Sequence, residues 1–250
     1  MNGTTDTDAA GEQRRVIVTV DAQSHLPPTI ELAVALAASR QSALHGLFVE
    51  DVDLMCVAQL PFTQEVPLLS GQPRSLDNRQ LQRSLDKLAI QFQQLLMRRA
   101  EHFSLACSYS TVRGRKHALE LGDSAHADFF IVGQPGRDQQ RMAQPLRILL
   151  LGNRTTCLLP ALEVILDSNP DRRVELLLLS DNGEGGPAQT GELLARRPDI
   201  VQTTLAGDKL QQALLSRGLR TDYVIADRQL GPRLLGRVLR LATCPVIVVS

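Results

Sequence analysis

Short apolar runs alternate with stretches of helical periodicity along most of this chain, and this alternation constrains the fold more than any other feature. The run from Val16 to Val20 is rich in β-branched residues and ends at Asp21, which is typical of a buried parallel strand. Because strands that alternate with helices form parallel sheets with right-handed crossovers, the pattern predicts an α/β protein. The predicted strands are residues 16–20, 44–49, 105–112, 129–132, 147–151, 174–179, 200–205, 223–226 and 246–249. The predicted helices are residues 29–40, 81–99, 155–166, 188–196, 209–216 and 233–241.

The order of these elements repeats once. We therefore predict a tandem repeat, with a first domain at residues 15–144 and a second domain at residues 145–250. The second cycle has five predicted strands and the first has four clear ones, and the pattern leaves open which half owns the strand at 147–151. We expect two separate parallel sheets packed around a pseudo-two-fold axis, with the boundary between residues 137 and 147.

The last predicted strand, Val246–Val249, is short, apolar and terminal, so we expect it at a sheet edge. Exposed edges invite pairing with another strand. The missing fifth strand of the first half would leave a further open edge for a second chain. We therefore expect a homodimer, and the alternative is a monomer in which the two halves pair with each other.

The composition argues against several classes of protein. Basic and acidic residues number 27 each, so the net charge is zero and no general attraction to nucleic acid or to anionic membranes is expected. No apolar run has the length of a membrane span. Residues 1–14 are polar and lack the apolar core of a signal peptide, so we expect a disordered lead. The four scattered cysteines have no metal-ligand spacing and fit a reducing cytoplasm.

An irregular segment, residues 50–75, follows the second predicted strand, and we call it the insert. Segments of this length between regular elements are uncommon unless they are functional or mobile. Because the insert leaves the carboxyl end of a strand, we expect it over or beside a ligand crevice. Phe62, Val66, Leu68 and Leu69 would then be buried there or against a partner.

Apolar residues in the helix after the insert recur every three or four positions from Leu81 to Leu95. This spacing is close to a heptad, so two interpretations are open. The first is an amphipathic helix that lies on a sheet, and the second is a coiled-coil seam. Arg99 interrupts the seam and favours the amphipathic helix.

A glycine turn follows one of the most apolar strands, because Gly133 and Gly136 come directly after the run Phe129–Val132. Paired glycines let the backbone approach a phosphate without interference from Cβ atoms, and the amides of such a turn can bind an anion. The other interpretation is a tight turn without a ligand, together with an Asp21 that only caps a turn or a helix.

Three segments together resemble the universal stress protein family. Residues 16–24, VIVTVDAQS, are similar to the opening strand of that family, usually V-x-V-D-G-S. Residues 127–136, ADFFIVGQPG, resemble its fourth strand and glycine turn, and residues 244–246 match its C-P-V before the last strand. The resemblance covers most of residues 15–136 and 147–250 as a tandem pair.

The resemblance implies two tandem open parallel sheets of the 3-2-1-4-5 type, an adenine-nucleotide alpha-hydrolase-like fold. The crevice would lie where the strand order reverses, between strands one and four. In members of the family that bind ATP, the nucleotide contacts map onto Asp21, Val49, Gly133 and Gly136 of this chain. ATP or AMP is therefore the expected ligand of the first half.

The chain departs from the family pattern in both halves. A Gly-Ser that holds phosphates, nine residues beyond Gly136, is replaced by Leu146-Arg147. In the second half, Gly152-Asn153 replaces the aspartate after strand one, and residues 227–231, DRQLG, replace the glycine turn. We therefore expect weak binding in the first half, with AMP or a nucleoside favoured over ATP, and a degenerate second half with a structural role.

Two classes of function follow. The first is a cytoplasmic stress-response or signalling module that binds an adenine nucleotide weakly and passes its occupancy to a protein partner. The second is a ligand-free structural or interaction protein that docks through the insert and a sheet edge. Catalysis has no support, because no nucleophile is matched with a base and an orienting group, and the five histidines are spread singly.

Overall fold

The computed structural model describes residues 15–66, 70–76, 78–115, 127–135, 145–152, 155–180, 200–206 and 221–250. The strands are β1 (Arg15–Val20), β2 (Ala43–Asp51), β3 (Gln64–Glu65), β4 (Arg74–Ser75), β5 (Cys107–Gly114), β6 (Phe129–Val132), β7 (Leu146–Leu151), β8 (Val174–Ser180), β9 (Ile200–Ala206), β10 (Tyr223–Asp227) and β11 (Val246–Val249). The helices are α1 (Leu26–Arg40), α2 (Val52–Ala58), α3 (Asn78–His102), α4 (Thr155–Asp167) and α5 (Pro232–Leu241). The expected disordered lead and the predicted helices at 188–196 and 209–216 lie outside the described residues.

Nine of these strands form one continuous sheet within the described part of the chain. Its order is β5-β2-β1-β6-β11-β10-β7-β8-β9. Neighbouring strands run parallel except β6 and β11, which are antiparallel. The first half therefore has the order 3-2-1-4 and the second half the order 3-2-1-4-5. This arrangement confirms the α/β fold and the strand order that the resemblance implies, with four strands rather than five in the described residues of the first half.

The expectation of two separate sheets is wrong, and so is the expectation that β11 lies at an edge. β11 lies between β10 and β6, with Val246 opposite Val132 and Val249 opposite Phe129. The physical reason is that residues 133–145 contain no apolar run that could form a fifth strand for the first half. The open edge of β6 is covered instead by the last strand of the second half. β7 pairs with β8 and β10, so this strand belongs to the second half.

Apolar side chains pack on both faces of the sheet. All four residues of β6 and all four of β11 are buried, as expected for strands covered on both sides. On one face, α1 packs against β1, α3 against β2 and β5, and α4 against β10 and β11, and Val16 and Val18 of β1 lie in the apolar cluster of this face. On the other face, Leu235 and Val238 of α5 pack in a cluster with Val132 of β6.

α3 lies on the sheet as an amphipathic helix, which confirms the interpretation that the sequence favoured. Its buried residues are Leu85, Phe92, Leu96 and Ala100. Gly46 of β2 allows the helix to approach closely, because a Cβ atom at that position would overlap the side chain of Leu96 and lie 3.3 Å from the ring of Phe92.

The insert contains regular structure that the sequence pattern did not predict. α2 begins after Asp51, whose carboxylate accepts a hydrogen bond from the backbone N of Asp53 at 2.8 Å. β3 and β4 form a short antiparallel hairpin. Arg115 Nη2 lies 2.9 Å from Asp53 Oδ1, which connects the insert to the chain just beyond β5. Such short elements carry too few residues to show a period in the sequence.

We expect Gly46→Ala to destabilise the protein by about 1–3 kcal/mol, because the added methyl group forces Leu96 or the whole helix to move. Leu96→Ala alone should cost about 2–5 kcal/mol through the cavity it leaves. The double variant should be less destabilised than the sum of the two, since the new Cβ occupies the vacated space. Denaturant unfolding of the three variants measures this coupling, and strictly additive free energies would contradict the described packing.

Candidate functional site

The carboxyl ends of β1 and β6 meet at the point where the strand order of the first half reverses. The two strands pair with Thr19 opposite Val132. The next residues along are therefore Val20 and Gly133, and the backbone N of Gly133 donates to the carbonyl of Thr19 at 2.8 Å. The expected crevice lies beyond this pair, because ligands of open parallel sheets bind at such reversal points.

Asp21 lies in a tight turn that its own side chain stabilises. The backbone N of Ser24 donates to the carbonyl of Asp21 at 3.1 Å, and the backbone N of Gln23 donates to Asp21 Oδ1, also at 3.1 Å. The hydroxyl of Ser24 lies 2.7 Å from the same carboxylate oxygen and accepts from the backbone N of Asp21 at 3.0 Å. The carboxylate is thus oriented by the turn and remains only partly buried.

Ser24 also joins β1 to β6. Its hydroxyl lies 3.0 Å from the carbonyl oxygen of Gly133, so its single proton is shared between that oxygen and Asp21 Oδ1. The structure therefore brings Asp21 and Gly133 together through a residue that our sequence analysis did not select. A serine three positions after an aspartate is a turn signal that could have identified it.

Other residues of the chain occupy the space that a side chain at position 133 would need. A Cβ atom there would lie 3.1 Å from the Cβ and the hydroxyl of Ser24 and 3.1 Å from a methyl group of Val20. The close backbone approach that the glycine permits is therefore an approach of β6 to the Asp21 turn. This packing supports the tight-turn interpretation of Gly133.

The other two predicted site residues, Val49 and Gly136, do not lie in the turn between β1 and α1. Val49 is fully buried on β2, one residue beyond Phe48, which pairs with Val20. Val49 is thus level with Asp21 and forms an apolar part of the same strand-end region. Gly136 lies outside the described residues.

The beginning of α1 offers few donors for a phosphate. Its N-cap residue, His25, makes no side-chain capping hydrogen bond, and prolines occupy the start of the helix. Pro27 and Pro28 have no backbone N–H, so two of the amides that a helix N-terminus normally presents are missing. The stretch that replaces the family's Gly-Ser, Leu146-Arg147, is the beginning of β7.

A buried glutamine connects the crevice region to the second half. Gln134 follows Gly133, and its carbonyl accepts a hydrogen bond from the backbone N of His25 at 3.0 Å. Its side-chain Nε2 donates to the carbonyl of Leu239 in α5, also at 3.0 Å. The turn after β6 is therefore bonded to elements of both halves. Nothing in the local sequence pattern marks this contact, since Leu239 is 105 residues away.

The second half has an aspartate and a glycine at its own reversal point, with their positions exchanged. Asp227 ends β10, the strand that corresponds to β6, and Gly152 follows β7, which corresponds to β1. A Cβ atom on Gly152 would lie 2.6 Å from the Cβ of Asp227. Asp227 is 2% exposed, and its Oδ1 accepts from the backbone N of Gln229 at 2.9 Å. The strand ends of the second half therefore hold a buried carboxylate packed against Gly152.

The insert does not bury the residues that a lid would bury. Phe62 is 91% exposed and Val66 is 60% exposed, while Leu68 and Leu69 lie outside the described residues. α2 packs against α3 and β2, and Asp53 pairs with Arg115. The expectation that Phe62 and Val66 are buried over the crevice is wrong for this chain on its own.

A second polar cluster lies on the edge of the sheet, away from the reversal point. His45 of β2 contacts two serine hydroxyls of β5, with Nδ1 2.8 Å from Ser108 Oγ and Nε2 3.0 Å from Ser110 Oγ. Burial, and to a smaller extent the charge of Arg15, lowers the pKa of His45. Because serines occupy both ring nitrogens, the histidine lacks the carboxylate that orients the base in a catalytic triad.

Two features are absent from the described residues of the chain. No helix there is both long enough and apolar enough to span a membrane. No group of three or more His, Cys, Asp or Glu side chains within the same ranges could hold a metal ion.

Comparison with known proteins gives matches in structure but not in sequence. No protein-family model matches the chain, and no curated protein matches it. A universal stress protein from Archaeoglobus fulgidus has 8% identity and a TM-score of 0.42, with 94% of this chain and 96% of that chain covered. A proposed universal stress protein from Pseudomonas aeruginosa has 11% identity and a TM-score of 0.39, with coverages of 95% and 93%. Acinetobacter baumannii MurG has 15% identity and a TM-score of 0.26, with coverages of 90% and 74%. Since these identities and TM-scores are low, the fold assignment rests on the strand order itself.

We expect Ser24→Ala to destabilise the protein by about 1–2 kcal/mol, because Asp21 and Gly133 both lose a hydrogen bond to the hydroxyl in a partly buried turn. Ser84→Ala is the matched control, since that hydroxyl donates to a carbonyl on the exposed side of α3 and its loss should cost less than about 0.5 kcal/mol. Denaturant unfolding compares the two variants. Equal losses of unfolding free energy in the two variants would contradict the role of Ser24 as a link between β1 and β6.

Proposed function

We propose that this chain is a universal stress protein-like stress-response or signalling module whose first half binds an adenine nucleoside or nucleotide weakly. The observation that carries the proposal is the arrangement of Asp21 and Gly133 at the reversal point of a parallel sheet, with Val49 buried on the neighbouring strand β2. The resemblance of residues 16–24 and 127–136 to the family supports the same assignment. A reducing cytoplasm is part of this proposal, and the four free cysteines agree with it.

Each residue of the arrangement has a chemical role in this proposal. The carboxylate of Asp21 is held by its turn and accepts hydrogen bonds from ribose hydroxyls or from the amino group of adenine. Val49 is buried on β2, level with Asp21, and belongs to the apolar packing that supports the site. Gly133 keeps β6 close to the turn, so that the strand ends form one wall.

The strand ends around Asp21 and the beginning of α1 favour a ligand with little negative charge. Pro27 and Pro28 remove two amides from the beginning of α1, and Leu146 begins a strand where the family has a second phosphate contact. Asp21 adds a negative charge that repels phosphates. We therefore propose adenosine or AMP, rather than ATP, as the preferred ligand, with a dissociation constant roughly in the micromolar to millimolar range.

Isothermal titration calorimetry with adenosine, AMP, ADP and ATP tests the proposal. Adenosine and AMP should bind more tightly than ATP. Asp21→Asn should weaken adenosine binding about five- to tenfold, because a hydrogen bond to a charged acceptor is about 1 kcal/mol stronger than one to a neutral acceptor. The same change should weaken ATP binding less, since it also removes the repulsion of the phosphates.

The choice of variant follows from the turn. Asp21→Asn keeps a side-chain oxygen that can accept from Ser24, whereas Gly133→Val would place a Cβ atom against Ser24 and Val20 and distort the turn itself. Asp86→Asn, on the exposed side of α3, is the matched control and should leave the affinities unchanged. If no ligand produces heat, or if Asp21→Asn binds adenosine as wild type does, the nucleotide proposal fails. The ligand-free interaction protein then takes its place.

The interaction protein is favoured by a separate observation, the exposure of large apolar side chains on the insert. Side chains such as Phe62 are seldom left in water without a partner when they occur in groups. Docking through the insert does not depend on whether a ligand is bound near Asp21.

A further inference from the structure

The outer side of α5 carries three arginines. Arg233, Arg237 and Arg240 are all exposed, and their spacing of four and then three residues places them on one side of the helix. We call these three residues the arginine row. The opposite side of α5 is packed in the core through the buried residues of the helix, which are Leu235, Val238 and Leu239.

The positive charge of the arginine row is not balanced within its own segment of the chain. Residues 228–250 contain four arginines and no lysine, aspartate or glutamate. The side chains of Arg233 and Arg240 form no ion pair with any residue that the structure describes. The arginine row is therefore a local positive surface on a chain whose net charge is zero.

A glycine lies beside the arginine row in the middle of α5. Gly236 comes three residues after Arg233 and four before Arg240, so it lies between them on the helix surface. It is partly exposed, and a Cβ atom built on it meets no heavy atom of the described residues within 4 Å. Its φ is also outside the left-handed region. Unlike Gly46, which admits Leu96, this glycine is required neither by packing among the described residues nor by its backbone conformation.

The outer side of α5 is unfavourable for the helix itself in three ways. Glycine in the interior of a helix is less stable than alanine, because it has more backbone freedom to lose. Arginines three or four residues apart repel each other. Arg233 also lies in the first turn, where the helix dipole disfavours a positive charge. Local rules broken together on one exposed surface are typical of a surface with a function outside the chain.

We propose that the arginine row and Gly236 form a docking surface for an acidic segment of a partner protein. The carboxylates of that segment pair with the arginines, and its backbone passes close to the helix at Gly236, where no side chain stands in the way. The guanidinium group is planar and can bind a carboxylate through two parallel hydrogen bonds, which explains why the row contains arginine and no lysine. This surface is separate from the insert, and its use does not depend on a nucleotide near Asp21.

An acidic protein segment fits this surface better than the other polyanions of a cell. Residues 228–250 contain no aromatic side chain on which nucleic-acid bases could stack. Proteins that bind duplex DNA often make about 6–10 phosphate contacts, which is more than the arginine row can supply. A basic helix binds a membrane by inserting its apolar side, and that side of α5 is buried in the core. A short acidic segment needs only a few ion pairs and no insertion.

Fluorescence anisotropy of a labelled oligoglutamate of about ten residues, in about 50 mM salt and without any nucleotide, tests the proposal on the full chain. Wild type should bind this peptide with a dissociation constant roughly between 10 and 500 µM. Arg233→Glu should raise the constant about tenfold, because an attractive charge becomes a repulsive one. Arg83→Glu is the matched control, since Arg83 is an exposed arginine of α3, which packs on the other face of the sheet. The same change of charge there should alter the constant less than about twofold.

Gly236→Gln separates docking from the stability of the helix. The new side chain has open space among the described residues, leaves the charge unchanged and is a better helix former than glycine. The midpoint of denaturant unfolding should therefore rise. Because the side chain covers the place where the backbone of the partner approaches, the dissociation constant for oligoglutamate should also rise, about fivefold. A glycine with a purely structural role would give the opposite result, a less stable protein with unchanged binding.

Several outcomes would overturn the proposal. Wild type that leaves oligoglutamate unbound at about 1 mM protein has no such surface. Equal loss of affinity in Arg233→Glu and Arg83→Glu would mean that binding follows the net charge of the protein alone. Gly236→Gln that binds as tightly as wild type would remove the close approach at the glycine.

Two competing probes decide between classes of partner. They are a thymidine oligonucleotide of the same charge as the peptide and vesicles with about 30% phosphatidylserine. If either binds more tightly than oligoglutamate and loses its affinity in Arg233→Glu, the surface belongs to nucleic acid or to a membrane, and the proposal of an acidic protein segment is wrong.

Discussion

All four residues of β6 are buried, and its outer edge needs a hydrogen-bonding partner that the described residues of the first half do not supply. β11 supplies that partner from the other end of the sequence and runs antiparallel to it, with Ile247 opposite Ile131. Burial of one side chain of this size is worth about 1.5–3 kcal/mol, so the pairing is a large contribution for a strand of four residues. Gln134 adds a buried hydrogen bond to Leu239 across the same junction. The last strand of the second half therefore completes the sheet of the first half, and the two halves form one continuous sheet.

The junction also explains the difference between the two reversal points. In the first half, Asp21 remains partly exposed and is oriented by Ser24, so a carboxylate is available at the strand ends. In the second half, Asp227 lies on the opposite strand and is buried against Gly152. The same pair of residue types thus gives an accessible carboxylate in one half and a buried carboxylate in the other. The proposal that only the first half binds a ligand follows from this difference.

The order of strands within each half was implied by the resemblance to the universal stress protein family. The sequence pattern itself predicted the α/β class and the amphipathic packing of α3, because these depend on periodicity. It did not predict that β11 lies in the interior, since pairing between residues 129–132 and 246–249 is non-local and leaves no trace in either segment. α2, β3 and β4 of the insert were not predicted, because elements this short show no hydrophobic periodicity. In the site, Asp21, Val49 and Gly133 were selected from the resemblance. Asp21 and Gly133 lie at the reversal point between β1 and β6, and Val49 is buried on the neighbouring strand β2. Their use as ligand contacts stays a prediction. Ser24 was missed because the family motif has its serine one position closer to the aspartate.

Native-state hydrogen exchange in increasing denaturant tests most directly whether β11 joins the two halves into one cooperatively folded unit. The amides of Val18 and Ile131 report on the first half, and those of Ile225 and Ile247 report on the second. If β11 unites the two halves, all four amides should exchange through one global unfolding reaction, with free energies that agree within about 1 kcal/mol. Two separate unfolding reactions, in which the first-half amides exchange at a denaturant concentration that leaves Ile225 protected, would contradict the account.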